Sequence, residues 1–463
     1  MSLPRGACPT LAAPMPTGDG LLARMNPVSG GVTPETLSSI AVAAERFGNG
    51  LIEVTARGSL QIRGLTLESA PRLAAVVDEM EIAVRSGVPV ETGPLAGLDP
   101  EEVADARPLA VEIRGKIAAA GLSQRVGPKV SVIVDGGGRL RLDAILADIR
   151  LQAVAAGGAG LWRVSTGGTA ETARELGLVS DADAATAVVA ILETLAAKGR
   201  TARAREVSVE ALSSALPPSV LPDISLSRGE IGRPPGLRQT AAGKAQVSKL
   251  PISPTVGEMS GRTEGGNVEH GPLAMFPLSD TRVALGIALP FGQATAARMS
   301  DLAEAAQRNG VRDMRFAPGR VVLALAPTAE AASALKEAAS ALGFITDPAD
   351  PRLAVVACAG APACASGHLA AREIASEIAR DAATLGAGGV IHVSGCAKLC
   401  AKPAHAVFTL VGTAAGTELY CGDATSGEPV VRVANDAAAA AFRRAGKLHR
   451  QEKNTSDKST GSR

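Results

Sequence analysis

The chain has 463 residues, of which 46% are hydrophobic, so it can bury several cores and is not an intrinsically disordered protein. Lysine plus arginine (47) nearly equals aspartate plus glutamate (46), and the net charge of +1 gives no overall attraction to nucleic acid or anionic membranes. The N-terminus has no apolar run of signal-peptide length and no stretch is long enough for a transmembrane helix, so we expect a cytoplasmic protein that binds neither nucleic acid nor membrane.

The first region with a clear pattern is predicted to form a strand, a helix and a strand. The apolar residues of Gly20–Met25 indicate a short strand. Thr33 followed by Pro34 is typical of an N-cap and first helical residue, and the helix is predicted to run to about Arg46. Residues 51–63 are predicted to be extended, with a glycine break.

The same order of elements recurs later in the chain. Residues 282–289 are predicted to form a strand, Ala294–Arg308 a helix, and residues 313–325 a second extended segment. The sequence AAERFG at 43–48 occupies the same place in the first unit as AAQRNG at 305–310 in the second. We interpret the two units as an internal duplication.

Each unit is followed by a longer stretch of mixed strands and helices. After the first unit, three strands are predicted between residues 128 and 168, and a helix near 184–198. After the second, a helix is predicted near 367–379 and a strand at 406–412. Residues 213–271 are rich in Pro, Ser and Gly and are interpreted as a connector, and the polar tail 447–463 is predicted to be disordered.

Four of the six cysteines are clustered in the pattern Cys358-x5-Cys364 and Cys396-x3-Cys400. Four thiolates can bind a tetrahedral zinc ion or a [4Fe–4S] cluster. The x5 spacing is outside the range of structural zinc knuckles, and the small residues between Cys358 and Cys364 leave room for a bulky inorganic cube. The pattern therefore favours the iron–sulfur cluster over zinc. Cys421 and Cys8 stand apart and are interpreted as inert thiols.

The cysteine pattern, together with the duplicated upstream units, resembles the nitrite and sulfite reductase superfamily. The resemblance extends from about Gly18 to Val433. It implies an α+β fold made of two duplicated ferredoxin-like half-domains plus two α/β nitrite/sulfite reductase-type domains. It also implies that the four cysteines hold a [4Fe–4S] cluster.

On this resemblance the chain divides into six parts. They are a first ferredoxin-like half-domain (1–95), a first reductase-type domain (96–212), a connector (213–271), a second half-domain (272–345), a cluster-binding reductase-type domain (346–446) and a tail (447–463).

Several segments look like one branch of this superfamily, the precorrin-3B synthase family of aerobic cobalamin biosynthesis. They are RGACP at 5–9, PTGDGLLAR at 16–24, GCAKLC at 395–400 and PAHA at 403–406. The resemblance implies a monooxygenase that hydroxylates precorrin-3A at C20 with O2 and closes a γ-lactone. It implies electrons from NADH and, besides the cluster, a mononuclear non-haem iron. Since the chain has no nicotinamide-binding glycine motif, we expect a separate reductase to deliver the electrons.

A polycarboxylate macrocycle requires fixed basic side chains, and arginine can hold a carboxylate with two parallel hydrogen bonds. Arg57 and Arg63 lie in VTARGSLQIR, which resembles the superfamily's Thr-x-Arg-x-x-x-Gln tetrapyrrole-contacting strand. Lys129, Arg315 and Arg320 are further candidates for substrate binding. His405 is the candidate for an iron ligand or catalytic group, because it follows the last clustered cysteine by five residues.

Two other functions remain open from the sequence. The first is a sirohaem-dependent sulfite or nitrite reductase. Those enzymes usually carry Lys-x-Lys where this chain has Lys129 and Ser131, and loss of the second lysine disfavours reduction of a small oxyanion. The second is a non-catalytic iron–sulfur electron carrier.

Overall fold

A computed structural model describes residues 9–28, 30–155, 160–214, 272–386, 388–403, 405–424 and 427–460. Most of the predicted connector falls outside the described residues, and so does Cys8 near the N-terminus. Within the described residues the chain forms four five-stranded sheets. This is the α+β arrangement that the sequence predicts.

The first half-domain begins with the predicted strand and helix. Its elements are β1 (Met15–Thr17), β2 (Gly20–Met25), β3 (Gly31–Val32), α1 (Pro34–Phe47), β4 (Leu51–Val54), β5 (Leu60–Leu65) and α2 (Ser69–Glu79). The Thr33 side chain accepts a hydrogen bond from the Thr36 N–H and Pro34 is the first helical residue, as predicted. The extended segment predicted at 51–63 is divided between β4 and β5.

The first α/β unit follows. Its elements are β6 (Val90–Thr92), α3 (Ala106–Ala119), α4 (Leu122–Arg125), β7 (Val132–Asp135), β8 (Ala147–Val154), β9 (Leu161–Gly168), β10 (Arg174–Ser180), α5 (Asp181–Lys198) and α6 (Val209–Ser213). Strands β6, β7 and β8 are parallel, and β9 and β10 extend the sheet antiparallel. The buried Trp162 packs in this core, and its indole N–H donates to Asp181 at 2.9 Å.

The second half-domain repeats the first. Its elements are β11 (Met275–Pro277), β12 (Val283–Ala288), β13 (Gln293–Thr295), α7 (Ala296–Arg308), β14 (Met314–Ala317), β15 (Val321–Ala326) and α8 (Ala329–Ala341). The helix predicted from Ala294 begins two residues later. Residues 293–295 pair instead with β4, and the Thr295 side chain caps α7.

The two half-domains exchange one short strand each. The sheet orders are β1-β2-β5-β4-β13 and β11-β12-β15-β14-β3, so β13 completes the first sheet and β3 the second. The exchange is symmetric, because the Val32–Met314 pairing in one sheet corresponds to Ala294–Ile52 in the other. Helices α1 and α7 pack against each other, with the Ser38 and Ser300 hydroxyls 2.8 Å apart. One core is shared between both halves.

The cysteine-bearing unit closes the chain. Its elements are β16 (Val355–Ala357), α9 (Ala371–Leu385), β17 (Ile391–Ser394), β18 (Phe408–Thr413), β19 (Gly416–Cys421), β20 (Val431–Val433) and α10 (Ala438–Thr460). Strands β16, β17 and β18 are parallel. The tail predicted to be disordered from residue 447 is instead helical to Thr460. The difference arises because its Lys, Arg, Gln and Glu residues are good helix formers that continue the Ala-rich start of α10.

The predicted domain limits remain predictions, and the sheets add two observations about them. Strand β6 pairs with β7, so the first α/β unit takes up residues before 96. At the other end of the second half-domain, Ile345 pairs with Ala288 and so belongs with its sheet.

Candidate functional site

Parallel strands bring the two cysteine pairs together. Cys358 directly follows β16, and one residue, Gly395, separates Cys396 from the end of β17. Because these strands are parallel neighbours, their carboxyl ends meet at one edge of the sheet. The Cys358 N–H donates to the Val393 carbonyl at 3.2 Å and thereby ties the first loop to β17.

Glycines let the two cysteine loops approach each other. A Cβ atom on Gly395 would lie 2.7 Å from the Gly360 Cα, and one on Gly367 would lie 2.6 Å from the Ala361 nitrogen. A side chain at Gly395 would push the two loops apart, and one at Gly367 would disrupt the first loop itself. The Gly395 N–H donates to the Cys358 sulfur at 3.0 Å, a contact of the type that orients and tunes thiolate ligands.

The four thiols form one group, which we call the four-cysteine group: Cys358, Cys364, Cys396 and Cys400. Burial raises the pKa of Cys400, the other three thiols raise it further, and Lys398 acts against them. Four mutually interacting thiols need a strongly positive centre to become thiolates together.

The two metal centres that the sequence leaves open would use the four thiols differently. A tetrahedral zinc would hold all four sulfurs at about 2.3 Å from one ion. Among the described residues, no three His, Cys, Asp or Glu side chains are gathered closely enough to bind a single metal ion. In a [4Fe–4S] cluster each sulfur binds a different iron, so the thiols stand further apart. Four cysteines carried by two glycine-rich loops are a donor set that fits such a cluster.

A cavity of about 330 Å³ lies where the two half-domains and the first α/β unit meet. Five arginines line it, and we call it the arginine cavity: Arg57, Arg85, Arg107, Arg114 and Arg315. Glu91 is the one carboxylate of the lining. The local excess of positive charge contrasts with the nearly neutral chain as a whole and is suited to a ligand with several carboxylates.

Three of these arginines already have carboxylate partners. Arg107 binds Asp105, with its Nη2 at 2.8 Å from Oδ2. The Arg315 Nε donates to Asp313 at 2.9 Å, and its Nη1 donates to the Pro94 carbonyl at 3.0 Å. Arg85 pairs with Glu91. These contacts fix the side chains and leave other N–H groups for a ligand.

Arg85 and Arg114 carry unsatisfied hydrogen-bond donors. The Nε atoms of both are buried and have no hydrogen-bond partner among the described residues. Burial lowers the pKa of Arg114, and the neighbouring positive charge of Arg85 lowers it further. The negative charge of Glu91 acts in the opposite direction. Glu91 is one negative charge beside two desolvated guanidinium groups, so a further anion would be bound favourably here.

Arg57 is exposed at the cavity, and among the described residues no carboxylate or carbonyl oxygen contacts its guanidinium. Val28 and Val111 also line the cavity and are 43% and 63% exposed. The cavity therefore combines free basic groups with apolar side chains.

The other predicted residues lie outside the lining of the arginine cavity. Arg63 is 4% exposed and is paired with Asp19. Arg320 takes a positive φ of 67° and lies against Gly292. Lys129 and His405 are exposed in loops.

Sequence reasoning missed Arg85, Arg107 and Arg114, because no local pattern marks them. Arg85 lies in an irregular segment. Arg107 lies in the first turn of α3, just after the N-cap, and Arg114 lies further along the same helix. Arginine is an ordinary surface residue at such helical positions. The exposed side of α3 becomes a cavity wall only through contacts with distant parts of the chain.

A second cavity, of about 410 Å³, opens beside the four-cysteine group. It is lined by Cys396, His368, Lys398 and Thr413, among others. The Lys398 ammonium donates to the Ser366 hydroxyl at 2.8 Å. One thiol of the group, that of Cys396, therefore lies at the wall of an open surface depression.

His392 is buried on β17, upstream of Cys396. Its exposure is 1%, and its Nε2 has no hydrogen-bond partner among the described residues. Burial lowers the pKa of His392 to about 4. The negative charge of Asp423 acts to raise this pKa, and the positive charge of Lys402 acts to lower it further. The ring is therefore neutral at pH 7.

No helix among the described residues has the length and apolar character needed to cross a membrane.

The chain is similar to several known proteins. The nitrite/sulfite reductase ferredoxin-like half domain family matches residues 13–80. A precorrin-3B synthase from Sinorhizobium sp is 37% identical over 457 residues, which cover 98% of this chain and 91% of that protein. A ferredoxin–nitrite reductase from Synechococcus elongatus is 28% identical over 138 residues, or 28% of this chain and 27% of that protein.

The structure of the NirA protein of Mycobacterium tuberculosis is similar to this fold, with a TM-score of 0.63. The match covers 92% of this chain and 80% of NirA at 16% identity. At that identity the similarity concerns the fold alone, and it confirms the predicted fold class.

Proposed function

The chain belongs to the precorrin-3B synthase family, and we propose that it converts precorrin-3A to precorrin-3B in cobalamin biosynthesis. In this reaction C20 of the macrocycle is hydroxylated and an acetate side chain closes a γ-lactone. One atom of O2 enters the product and the other leaves as water. The two electrons come from NADH, and one further proton comes from solvent.

The arginine cavity is the observation that carries this proposal. The substrate is a macrocycle with apolar faces and a rim of carboxylates. Arg57 has no carboxylate partner among the described residues, and Arg85 and Arg114, although bound to Glu91 and to the Val90 carbonyl respectively, each keep an Nε donor without a partner there. Val28 and Val111 offer apolar surface to the ring. A bound carboxylate would also relieve the repulsion between Arg85 and Arg114.

Arg107 and Arg315 have a different role in this proposal. Each is held by an aspartate, Asp105 and Asp313 respectively, so its position is fixed before substrate arrives. Pre-positioned groups lose little side-chain entropy on binding. They would orient the macrocycle, while the less constrained Arg57 adjusts to it.

We propose that the four-cysteine group holds a [4Fe–4S] cluster, which supplies electrons one at a time when bound. The Gly395 N–H would hold the Cys358 sulfur in place. A separate reductase would bring electrons from NADH. Because four thiols remain reduced only in a reducing compartment, the cytoplasm is the proposed location. Among the described residues no three His, Cys, Asp or Glu side chains are grouped as a mononuclear iron site would require.

The substrate site is tested by anaerobic titration with precorrin-3A. Arg57→Ala and Arg114→Ala should each weaken binding at least tenfold, because truncating one partner of a desolvated ion pair costs about 2–5 kcal/mol. Arg57→Lys should restore only part of the affinity, since an ammonium cannot form the two-pronged contact. The control is Arg72→Ala, whose side chain is 64% exposed and which should bind normally. Wild-type affinity in both cavity variants would contradict the site.

The chemistry is tested by iron analysis and isotope labelling of anaerobically purified protein. Cys358→Ser should lose the cluster, while Cys421→Ser, an exposed cysteine outside the group, should retain four irons per chain. Turnover under 18O2 should place one labelled atom in the product. Label arriving only from water would reject the oxygenase proposal. Strong Soret-type absorption would instead indicate the sirohaem-dependent alternative.

A further inference from the structure

The tip of the β1–β2 hairpin lies directly on the loop between the first two cysteines. A Cβ atom on Gly18 would lie 2.5 Å from the Pro362 carbonyl oxygen and 2.6 Å from the Cys364 carbonyl carbon. These are backbone atoms, so no flexible side chain could move aside and only glycine fits. The Gly18 N–H also donates to the Ala363 carbonyl at 3.3 Å.

Arg63 holds the same carbonyl from the neighbouring strand. Its guanidinium donates to the Ala363 oxygen, the residue immediately before Cys364. It also binds both oxygens of Asp19, from Nε at 3.0 Å and from Nη2 at 2.8 Å. The two side chains are only 4% and 12% exposed, so this is a desolvated, two-pronged ion pair.

The surrounding residues keep this pair in place. Glu53 on β4 lies 3.6 Å from Arg63, and Arg372 near the start of α9 donates to Glu53 and to Gln293. The ion pair is therefore part of a buried polar layer between the first half-domain and the cysteine-bearing unit. A carbonyl next to a cysteine ligand receives two donors from outside its own unit.

We propose that Asp19 and Arg63 are positioning residues that hold the Cys358–Cys364 loop around the cluster and set its reduction potential. The inference rests on the cluster assignment made above. Reduction adds one electron to the cluster, and a nearby cation favours that added charge while a nearby anion opposes it. Because the pair is desolvated, each charge acts with little screening by water.

The electrostatic role predicts opposite effects for the two charges. Arg63→Gln removes the cation and should lower the potential, whereas Asp19→Asn removes the anion and should raise it. A purely structural role of the loop would not produce shifts of opposite sign. The double variant should lie close to the wild type.

The experiment is a dithionite titration of the full-length holoprotein, followed by electron paramagnetic resonance. At the wild-type midpoint, the ratio of reduced to oxidised cluster should fall at least threefold in Arg63→Gln and rise at least threefold in Asp19→Asn. Arg72→Gln, an exposed arginine of the same half-domain, should leave the ratio unchanged. Equal potentials in all variants, or shifts of the same sign in both, would overturn the electrostatic role.

The positioning role has a separate readout. Gly18→Ala changes no charge but should displace the loop, so its cluster should lose iron to a chelator at least fivefold faster than wild type. Loss of the cluster from a folded Arg63→Gln protein, with Arg72→Gln intact, would support the same role. An unchanged rate in Gly18→Ala would overturn it. Absence of iron from the wild type would reject the cluster itself, which is a different failure.

Discussion

The sheets of the two half-domains are alike on the inner face, which packs into the shared core. Their outer faces differ in polarity: polar in the first half-domain and apolar in the second. Adding 262 to a residue number of the first half-domain gives its counterpart in the second, as for Ser38 and Ser300. The same offset relates the residue pairs between neighbouring strands of the two sheets. Glu53 pairs with Gln61 in the first sheet, and Arg315 pairs with Leu323 in the second. The side chains that face the shared core are apolar in both sheets.

The outer faces differ because they meet different neighbours. In the first sheet Glu53, Gln61 and Arg63 form a buried polar layer against the cysteine-bearing unit. In the second sheet the residues that correspond to Gln61 and Arg63 are Leu323 and Leu325, which pack with Leu98 of the first α/β unit. The duplication thus keeps one face for its own core and has adapted the other to two partners.

The largest expected effect on stability comes from placing a charged residue of the polar outer face at the corresponding position of the apolar outer face. Leu325→Arg places the counterpart of Arg63 in an apolar cluster, where its charge has no partner. Burying an unpaired charge should cost at least about 4 kcal/mol and prevent accumulation of folded protein. Leu67→Arg is the control, because Leu67 is 83% exposed and should tolerate the charge. Thermal unfolding and soluble yield measure the effect, and near-equal values for both variants would contradict the comparison.

Much of this arrangement could be predicted from the sequence, but not the difference between the faces. The capped helix at Thr33, the strand at Gly20–Met25 and the duplication follow from local patterns. The exchanged strands β3 and β13 have two and three residues, too few for any periodicity to mark them. Their pairing depends on the packing of the two halves.

The site shows the same limit. The cysteine pattern indicates which residues form the four-cysteine group, because the spacing itself reflects the chemistry. Arg63 was predicted to bind substrate with Arg57, yet it is buried beside Asp19, whereas Arg57 lies at the cavity. Alternation along a strand predicts which residues share a face, but it cannot tell whether a charged face meets a ligand or another domain.

A smaller effect is expected from removing one charge on the polar side. Arg372→Met leaves Glu53, which is 6% exposed, without its closest cation from α9. Breaking one partner of a buried pair typically costs about 3–5 kcal/mol, and Arg63 should reduce this by remaining near Glu53. The double variant Arg372→Met/Glu53→Leu should recover part of the loss. Urea unfolding measures both, and additive losses in the double variant would show that the pair is not coupled.

Two carboxylates, one in the polar interface and one beside the turn that carries Leu98, should give opposite dependences of stability on pH. Burial raises the pKa of Asp19 on the polar side, but hydrogen bonds from Arg63 and Thr17 outweigh it and hold the pKa below its usual value. Its contribution to stability is therefore present above about pH 4 and is lost as the pH falls further. In the first α/β unit, beside the turn that carries Leu98, burial raises the pKa of Glu102 to about 7, although the Gly97 N–H acts against it. Glu102 thus favours the folded state when protonated, and stability is lost as the pH rises from about 4.5 to 7.

The smallest expected effect follows from this second dependence. Glu102→Gln keeps an oxygen that can accept from the Gly97 N–H, in the turn that carries Leu98, but it removes the cost of ionisation. Because the side chain is only partly buried, the gain should be about 1–2 kcal/mol at pH 8 and close to zero at pH 4.5. Glu171→Gln, at an exposed position of the same unit, should show no such dependence. Thermal unfolding of the three proteins between pH 4.5 and 8 measures the difference. A gain that is equal at both ends of this range would place the effect in packing rather than in the charge of Glu102.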